Sequence, residues 1–212
     1  MDKNKAIFYE RQAQTIINKL NARHMDGYYC KTLEEAEEKI LELIGNGKKS
    51  VAYGGSMSID HCDLKERIVE KGHNLIVREN YRTPEEIKEL KALTVNADTF
   101  LMSSNAITLD GELVNIDGRG NRVSYLIYGP EQVILLVGMN KVVRNVEDGI
   151  RRVRNEATPP NTVRLDCDTP CAKTGMCHDC LTNTICCQIV VTRASKIPGR
   201  IKIVLVGEEL GY

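Results

Sequence analysis

Amide, carboxylate and guanidinium side chains are concentrated at the centre of the chain, between residues 105 and 122. The dipeptide Asp110-Gly111 predicts a hairpin turn and residues 118–121 predict a second loop, so turns explain the glycines of this segment. Turns alone do not require so many polar side chains beside apolar strands, and we interpret their density as the wall of a polar pocket. The ligand-binding candidates here are Asn105, Asp110, Gly111, Asn115, Gly118, Asn121 and Arg122.

A second polar segment, residues 54–58, predicts a site for an anion. An apolar strand runs through Gly54 and Gly55 into Ser56 and Ser58, and a helix is predicted to follow. Glycines let the backbone approach a ligand, and the free N–H groups at a helix start favour a phosphate or carboxylate. The spacing matches neither a Walker sequence nor a dinucleotide fingerprint, so no nucleotide cofactor is indicated. A tight turn capped by one of the two serines is the alternative.

Three side chains are candidates for catalysis. Glu112 and Asp117 qualify as acid or base groups if burial raises their pKa values. Lys141 follows Gly138 and Asn140 at the end of an apolar strand, which is where open α/β sheets bind their ligands. As a compact cation it could hold a carboxylate or phosphate, so Gly138, Asn140 and Lys141 join the ligand-binding candidates. An exposed lysine at a helix start is the alternative.

Six of the eight cysteines lie within residues 167–187. Cys177 and Cys180 form a C-x2-C pair, a spacing at which two thiolates can bind one metal ion. Cys171 and Cys186 flank this pair at equal distances, giving four thiolates for zinc or an iron–sulfur cluster. The spacing differs from that of ferredoxins. Disulfide or redox thiols, and unremarkable free cysteines, are the alternatives.

Composition limits the partners of the chain. Lys plus Arg and Asp plus Glu number 29 each, there is no Trp, and there are two Phe. Balanced charge and few aromatic side chains argue against a nucleic-acid partner. The arginines near residue 150 are interpreted as a solvated helix face; they are Arg144, Arg151, Arg152 and Arg154.

The chain shows no membrane or export signal. Its first residues contain no apolar leader, and no stretch approaches the roughly 18 apolar residues that a membrane-spanning helix needs. We therefore expect a cytoplasmic protein without a membrane partner. In a reducing compartment, clustered thiols more often bind metal or do redox chemistry than form disulfides.

Helical and strand-like segments alternate along most of the chain. Residues 1–48 predict two helices, and Thr32 with Glu35 predicts the start of the second. From Ser50 onward, short apolar runs alternate with helical stretches, which is typical of a mainly parallel sheet covered by helices. Residues 160–190 form a Cys-rich insertion before the last strand. These observations predict a single α/β domain over residues 1–212.

The motifs GGSMS, SSNAITLDGELVNIDGRGNRV, YGPEQVILLVGMNKVV, TPCAKTGMCHDC and VLVGEELGY together resemble the LUD domain family, named for lactate utilisation. The similarity runs from about residue 5 to Tyr212. It implies a Rossmann-like α/β fold of the NagB/RpiA/CoA-transferase type with a mainly parallel sheet. Some members belong to multi-protein systems that oxidise lactate, whose companion subunits carry iron–sulfur clusters. This chain is similar to a short, stand-alone branch with its own C-terminal cysteine motif.

Two functions are expected. The first is a LUD-type metabolic protein that binds a small carboxylate or phosphorylated metabolite at the polar centre. The second is an accessory or electron-transfer subunit that holds a metal or iron–sulfur cluster and docks to an oxidoreductase. The cysteines could also hold zinc for structure alone. A homo-oligomer is expected from what is common among metabolic proteins.

Overall fold

The computed structural model describes residues 2–212 of the 212-residue chain, and ten strands are found in them. In chain order the strands are β1 (Asp26–Cys30), β2 (Ser50–Tyr53), β3 (Asn74–Ile76), β4 (Thr99–Met102), β5 (Ala106–Thr108), β6 (Leu113–Asp117), β7 (Gln132–Gly138), β8 (Val142–Val143), β9 (Gln188–Thr192) and β10 (Ile201–Val206).

Nine α-helices accompany the strands in this part of the chain. They are α1 (Lys3–Ala22), α2 (Leu33–Ile44), α3 (Met57–Asp60), α4 (Leu64–Glu70), α5 (Pro84–Val95), α6 (Asn121–Ile127), α7 (Val146–Arg152), α8 (Thr158–Arg164) and α9 (Pro170–Thr174). A π-helical turn, Val153–Ala157, joins α7 to α8. None of the helices within residues 2–212 combines the length and the apolar character that crossing a membrane requires.

The larger sheet has six strands in the order β1-β10-β7-β4-β2-β3, and every neighbouring pair is parallel. Strand β7 lies inside this sheet and is apolar on both faces, as a strand covered by helices on both sides must be. The α/β class and the mainly parallel sheet predicted from the sequence are therefore confirmed.

Alternate residues of β7 enter two separate cores. Leu135 packs with Leu20 of α1 on one face, whereas Leu136 packs with Ile40 of α2 and Leu64 of α4 on the other. All of these side chains are fully buried. Burial of each stabilises the fold by about 1.5–3 kcal/mol relative to exposure, so the sheet is fixed between two helical layers.

A smaller sheet has the order β8-β5-β6-β9. Strands β5 and β6 are antiparallel, with Ile107 opposite Leu113, which confirms the predicted hairpin. Gly111 in its turn has φ +82°, a left-handed conformation that glycine adopts without strain. Helix α7 packs closely on this sheet, because Gly149 lies against the side chain of Val114. The second sheet therefore covers the region beyond the end of β4.

Strand β1 is a feature that the sequence analysis does not predict, since residues 1–48 were assigned to two helices. It pairs with β10 at the edge of the larger sheet, from Asp26 opposite Lys202 to Cys30 opposite Val206. The five residues are too few, and too polar at their start, for an alternating pattern to be recognised. The predicted start of α2 is observed, because the Thr32 hydroxyl accepts a hydrogen bond from the Glu35 N–H at 3.2 Å.

Candidate functional site

A cavity of about 520 Å³ lies where several strands of the larger sheet end. Residues that directly follow β2, β4 and β7 line it, together with Arg78, which follows β3. The strand order reverses between β2 and β4, because the chain passes from β2 to β3 on one side and then to β4 on the other. Open α/β sheets bind their ligands at such a point, so this cavity is the candidate site.

Nine of the residues selected from the sequence line the cavity. They are Gly55, Ser56, Asn105, Asp117, Gly118, Asn121, Arg122, Lys141 and Cys186. Segments far apart in the sequence thus meet here, as expected for loops at one edge of a parallel sheet.

Cationic side chains dominate the lining. Besides Arg122 and Lys141, the cavity is lined by three arginines that the sequence analysis did not select, Arg78, Arg119 and Arg164. Asp117 is the one Asp or Glu among the lining residues that the structure describes. Within residues 2–212, neither Arg119 nor Arg164 has a carboxylate within salt-bridge distance. The positive charge of the cavity lining therefore favours the binding of an anion.

Arg122 is surrounded by oxygen acceptors of the protein itself. Its Nη atoms donate to the side-chain oxygens of Asn105 (2.9 Å) and Asn115 (2.5 Å) and to the carbonyls of Ser103 (3.2 Å) and Ile116 (3.0 Å). Its Nε lies 3.4 Å from Asp117 Oδ2. Burial lowers the pKa of Arg122, and Asp117 opposes that effect. This guanidinium holds the β5–β6 hairpin against α6.

Asp117 also fixes the loop that follows β6. Its Oδ1 accepts hydrogen bonds from the backbone N–H groups of Arg119 (3.1 Å) and Gly120 (2.8 Å). With the other oxygen directed at Arg122, this buried carboxylate is occupied by the protein, and it positions the Arg119 side chain at the cavity edge.

Lys141 ends in a buried position at the cavity, with 4% of its surface exposed. Its Nζ donates to Ser58 Oγ at 2.9 Å and to Ser103 Oγ at 3.0 Å. Burial, together with the nearby guanidinium groups of Arg152 and Arg122, lowers the pKa of Lys141 to about 7. A buried amine held by hydroxyls and facing two cations is therefore easily deprotonated.

Arg152 departs from the expected solvated helix face. It is 7% exposed, and it donates to the carbonyls of Asn105 at 2.8 Å and Asn140 at 3.2 Å. The sequence did not predict the burial of Arg152, because its hydrogen-bond acceptors come from two loops that are distant in the chain. Arg152 ties α7 to the ends of β4 and β7.

Several selected residues do not line the cavity. Asp110, Gly111 and Glu112 lie against α1 instead: the Asp110 carbonyl accepts from Arg23 Nε at 2.6 Å, and Glu112 lies 3.7 Å from the same arginine. Gly111 approaches Leu20. This hairpin turn therefore contacts the N-terminal helix and lies outside the cavity lining.

The remaining selected residues support the cavity from behind. Gly54 packs against Arg122, and Ser58 and Asn115 are fully buried. Asn140 connects the end of β7 to the C-terminal segment, because its Oδ1 accepts from the Leu210 N–H at 3.1 Å. Gly138 packs against the same segment.

Among the cysteines, Cys186 lines the cavity, beside Ile185. All eight cysteines are free. Burial raises the pKa of Cys186, and repulsion from Cys177, Cys171 and Cys180 contributes to the rise. No three His, Cys, Asp or Glu side chains within residues 2–212 are arranged to hold a metal ion. The metal site stays a prediction.

Ser103 is a functional candidate that the sequence analysis quoted in a motif but did not select. It directly follows β4, and its place at the carboxyl end of a parallel strand is the signal that could have found it. Arg78 has the same signal after β3. Arg164 had none, because it lies at the end of α8 and follows no strand.

Comparisons with known proteins agree with this architecture. Among solved structures, a DUF162 family protein from Deinococcus radiodurans is similar, with a TM-score of 0.51 and 15% identity over 95% of this chain and 98% of that one. At this identity the likeness shows the fold alone. No curated protein matches the sequence significantly. The family model of the LUD domain matches residues 13–206, most of the chain, and the protein therefore belongs to the LUD domain family.

Proposed function

We propose that this protein is a LUD-type metabolic protein whose cavity binds a small organic anion, either a carboxylate or a phosphorylated metabolite. The observation that carries the proposal is the charge of the cavity lining. Five cationic side chains line it against one carboxylate, Asp117, which is already occupied by Arg122 and by loop N–H groups.

The cations divide into two groups. The N–H groups of Arg122 are directed at protein oxygens, so its positive charge attracts an anion without a direct hydrogen bond to it. Arg119 and Arg164 are exposed and have no carboxylate partner within residues 2–212. A guanidinium binds carboxylate or phosphate oxygens through two parallel hydrogen bonds. Arg119 and Arg164, with Arg78, are the proposed anchors of the anion.

The size of the cavity fits a metabolite. Its volume of about 520 Å³ lies within the roughly 300–1,000 Å³ typical of small-molecule sites. The uncommitted hydroxyl of Ser56, which makes no capping bond to α3, adds a neutral hydrogen-bond group at the same edge. Lactate utilisation, which gives the family its name, makes lactate and pyruvate the first ligands to examine.

Thermal denaturation with a ligand panel tests this function. Lactate, pyruvate, sugar phosphates and CoA esters are added to the full chain, and we expect at least one class to raise Tm in proportion to the logarithm of its concentration. Replacing Arg164 by Gln should raise the Kd of that ligand by about tenfold or more, since a charged hydrogen bond contributes roughly 1.5–3 kcal/mol.

The matched control is Arg11→Gln, which removes an exposed arginine on α1, outside the cavity lining. This variant should leave the Kd unchanged. Silence of the whole panel, or an equal loss of affinity in both variants, would contradict the proposed anion site.

A further inference from the structure

Two serine hydroxyls and one amine meet at the inner end of the cavity. Lys141 Nζ lies 2.9 Å from Ser58 Oγ and 3.0 Å from Ser103 Oγ, and the two hydroxyl oxygens are 3.4 Å apart. Anion binding alone does not explain this group, because Lys141 is 4% exposed and its amine is held by the two hydroxyls.

Lys141 has no carboxylate to keep it charged. Within residues 2–212 no Asp or Glu oxygen lies within salt-bridge distance of its Nζ. The charged groups that act on it are Arg122 from α6 and Arg152 from α7, both cations, whose own carboxylate partners are Asp117 and Glu156. Two cations and burial all favour the neutral amine, whose lone pair can accept a proton.

The two serines have different surroundings. Ser58 is fully buried, and its hydroxyl faces two acceptors, the Leu210 carbonyl at 3.3 Å and Ser103 Oγ at 3.4 Å. The Ser103 hydroxyl lies 3.3 Å from the Ser104 carbonyl, and it can donate to Lys141 Nζ instead when that amine is neutral. Ser103 lines the cavity and is 6% exposed. A ligand can therefore reach Ser103, while Ser58 can only hold the amine in position. Nucleophile, base and orienting group within hydrogen-bond distance of one another are the parts of a serine nucleophile site.

We propose that Ser103 is a nucleophile, that Lys141 is its general base, and that Ser58 is a positioning residue for Lys141, so that the cavity cleaves an ester of a small organic anion. The anionic part of this substrate rests on the proposed function, whereas the Ser103–Lys141 pair does not.

The proposed step is balanced by the groups present and water. Lys141 Nζ takes the proton of the Ser103 hydroxyl as Oγ bonds to the acyl carbon. The bond from that carbon to the leaving oxygen breaks, and Lys141 returns the proton to the leaving oxygen. Water then attacks the acyl-serine with Lys141 again as base, which releases the acid and restores Ser103.

An alkyl fluorophosphonate tests the pair without knowledge of the substrate. It forms a phosphonyl-serine and releases fluoride only where a serine is activated. We expect one adduct per chain, mapped by mass spectrometry to Ser103 and abolished in Ser103→Ala. The labelling rate should rise with pH through about 7 and level off above it, since Lys141 must be neutral to act and its pKa is lowered to that range.

Variants of the base and the positioning residue separate chemistry from structure. Lys141→Met should slow labelling about 100-fold or more, a typical contribution of a general base. Ser58→Ala should slow it less and shift the pH midpoint downward, because the lost hydroxyl oxygen accepts a hydrogen bond from the charged amine; a merely structural change would not shift the midpoint. Ser195→Ala is the control, because it removes a hydroxyl outside the cavity whose exposure, 7%, is close to the 6% of Ser103.

The failures of the two proposals are distinguishable. Anion-dependent stabilisation without a Ser103 adduct would overturn this inference and leave the anion site intact. An adduct without any ligand response would uphold the pair and overturn the anion site. Reductive trapping of pyruvate on Lys141 by borohydride, with no adduct on Ser103, would assign imine chemistry to the amine and also overturn this inference.

Discussion

At the cavity wall, Arg122 directs its N–H groups at oxygens of the protein. Asn105 and Asn115 each present a side-chain oxygen to it, and the carbonyl of Ser103 accepts a further bond. Asn105, Asn115 and Arg122 were selected from the sequence as pocket residues. A buried hydrogen-bond network contains the same types of polar side chain as a ligand pocket, so composition does not separate the two. Which oxygen meets which donor depends on tertiary placement, and spacing along the chain does not encode it.

Replacing Arg122 by Met tests that structural role. The change leaves two buried amide oxygens and the Asp117 carboxylate without their donor, so the free energy of unfolding should fall by about 3–5 kcal/mol. Urea denaturation measures it. Arg119→Met, at the exposed edge of the same cavity, is the control and should stay within about 0.5 kcal/mol of wild type. Equal stabilities with lost ligand affinity in Arg122→Met would make Arg122 a ligand group instead.

The strands differ in how clearly their sequences predict them. Strand β7 is a continuous apolar run, so both its existence and its buried position could be predicted. Strand β1 starts with Asp26 and Gly27, residues with low strand propensity, and it forms because β10 offers a parallel edge. Gly27 is suited to that edge because a Cβ at this position would lie only 2.9 Å from the Ile17 side chain of α1.

The cysteine-rich segment contacts α8 through two of its thiols. Cys186 lies against Thr158, and Cys171 lies 3.5 Å from Thr162, so two of the selected thiols contact one face of α8. The raised pKa of Cys186 favours a neutral thiol in the absence of a cation. A metal ion would reverse that preference, because it binds thiolates and releases their protons.

Elemental analysis of anaerobically purified, untagged protein tests the metal prediction. We expect about one zinc ion or one iron–sulfur cluster per chain. The metal should be lost, together with part of the thermal stability, when Cys177 and Cys180 are both replaced by Ser. Cys62→Ser, which changes a thiol outside this segment, should retain it.

The identity of the metal separates the roles left open for the segment. Iron with visible absorbance would support an electron-transfer subunit that docks to an oxidoreductase. Zinc, with ligand affinity unchanged in the double variant, would support a structural role. Wild-type protein with neither metal would contradict the prediction and leave the cysteines as free or redox thiols.

The architecture of the whole molecule follows from patterns that the sequence contains, but the site depends on strand order. Alternating apolar runs and helices predicted a parallel sheet, and the carboxyl-end rule then selected Lys141. Residues 54–58 were selected for their glycines and the predicted helix start. Arg164 escapes such reasoning. It ends α8, and it lines the cavity only because the chain folds back over the ends of the strands.

Charge is distributed unevenly over a molecule whose formal net charge is zero. The cavity holds five cations and one carboxylate among its described lining residues, so its attraction for an anion comes from local rather than net charge. Exposed arginines at its edge are screened by salt, because the Debye length shortens from about 30 Å at 0.01 M to about 8 Å at 0.15 M. We therefore expect the Kd of the anion found in the ligand panel to rise by about fivefold between these ionic strengths.

Isothermal titration in NaCl at the two concentrations measures this change. The same titration with Arg119→Gln and Arg164→Gln combined should show a smaller slope, since the screened partners are gone, whereas Arg11→Gln should keep the wild-type slope. An affinity that does not change with salt would mean that neutral hydrogen bonds, from groups such as Ser56 and Asn121, dominate recognition. The arginines would then serve the fold alone, and the charge argument for an anion would fail.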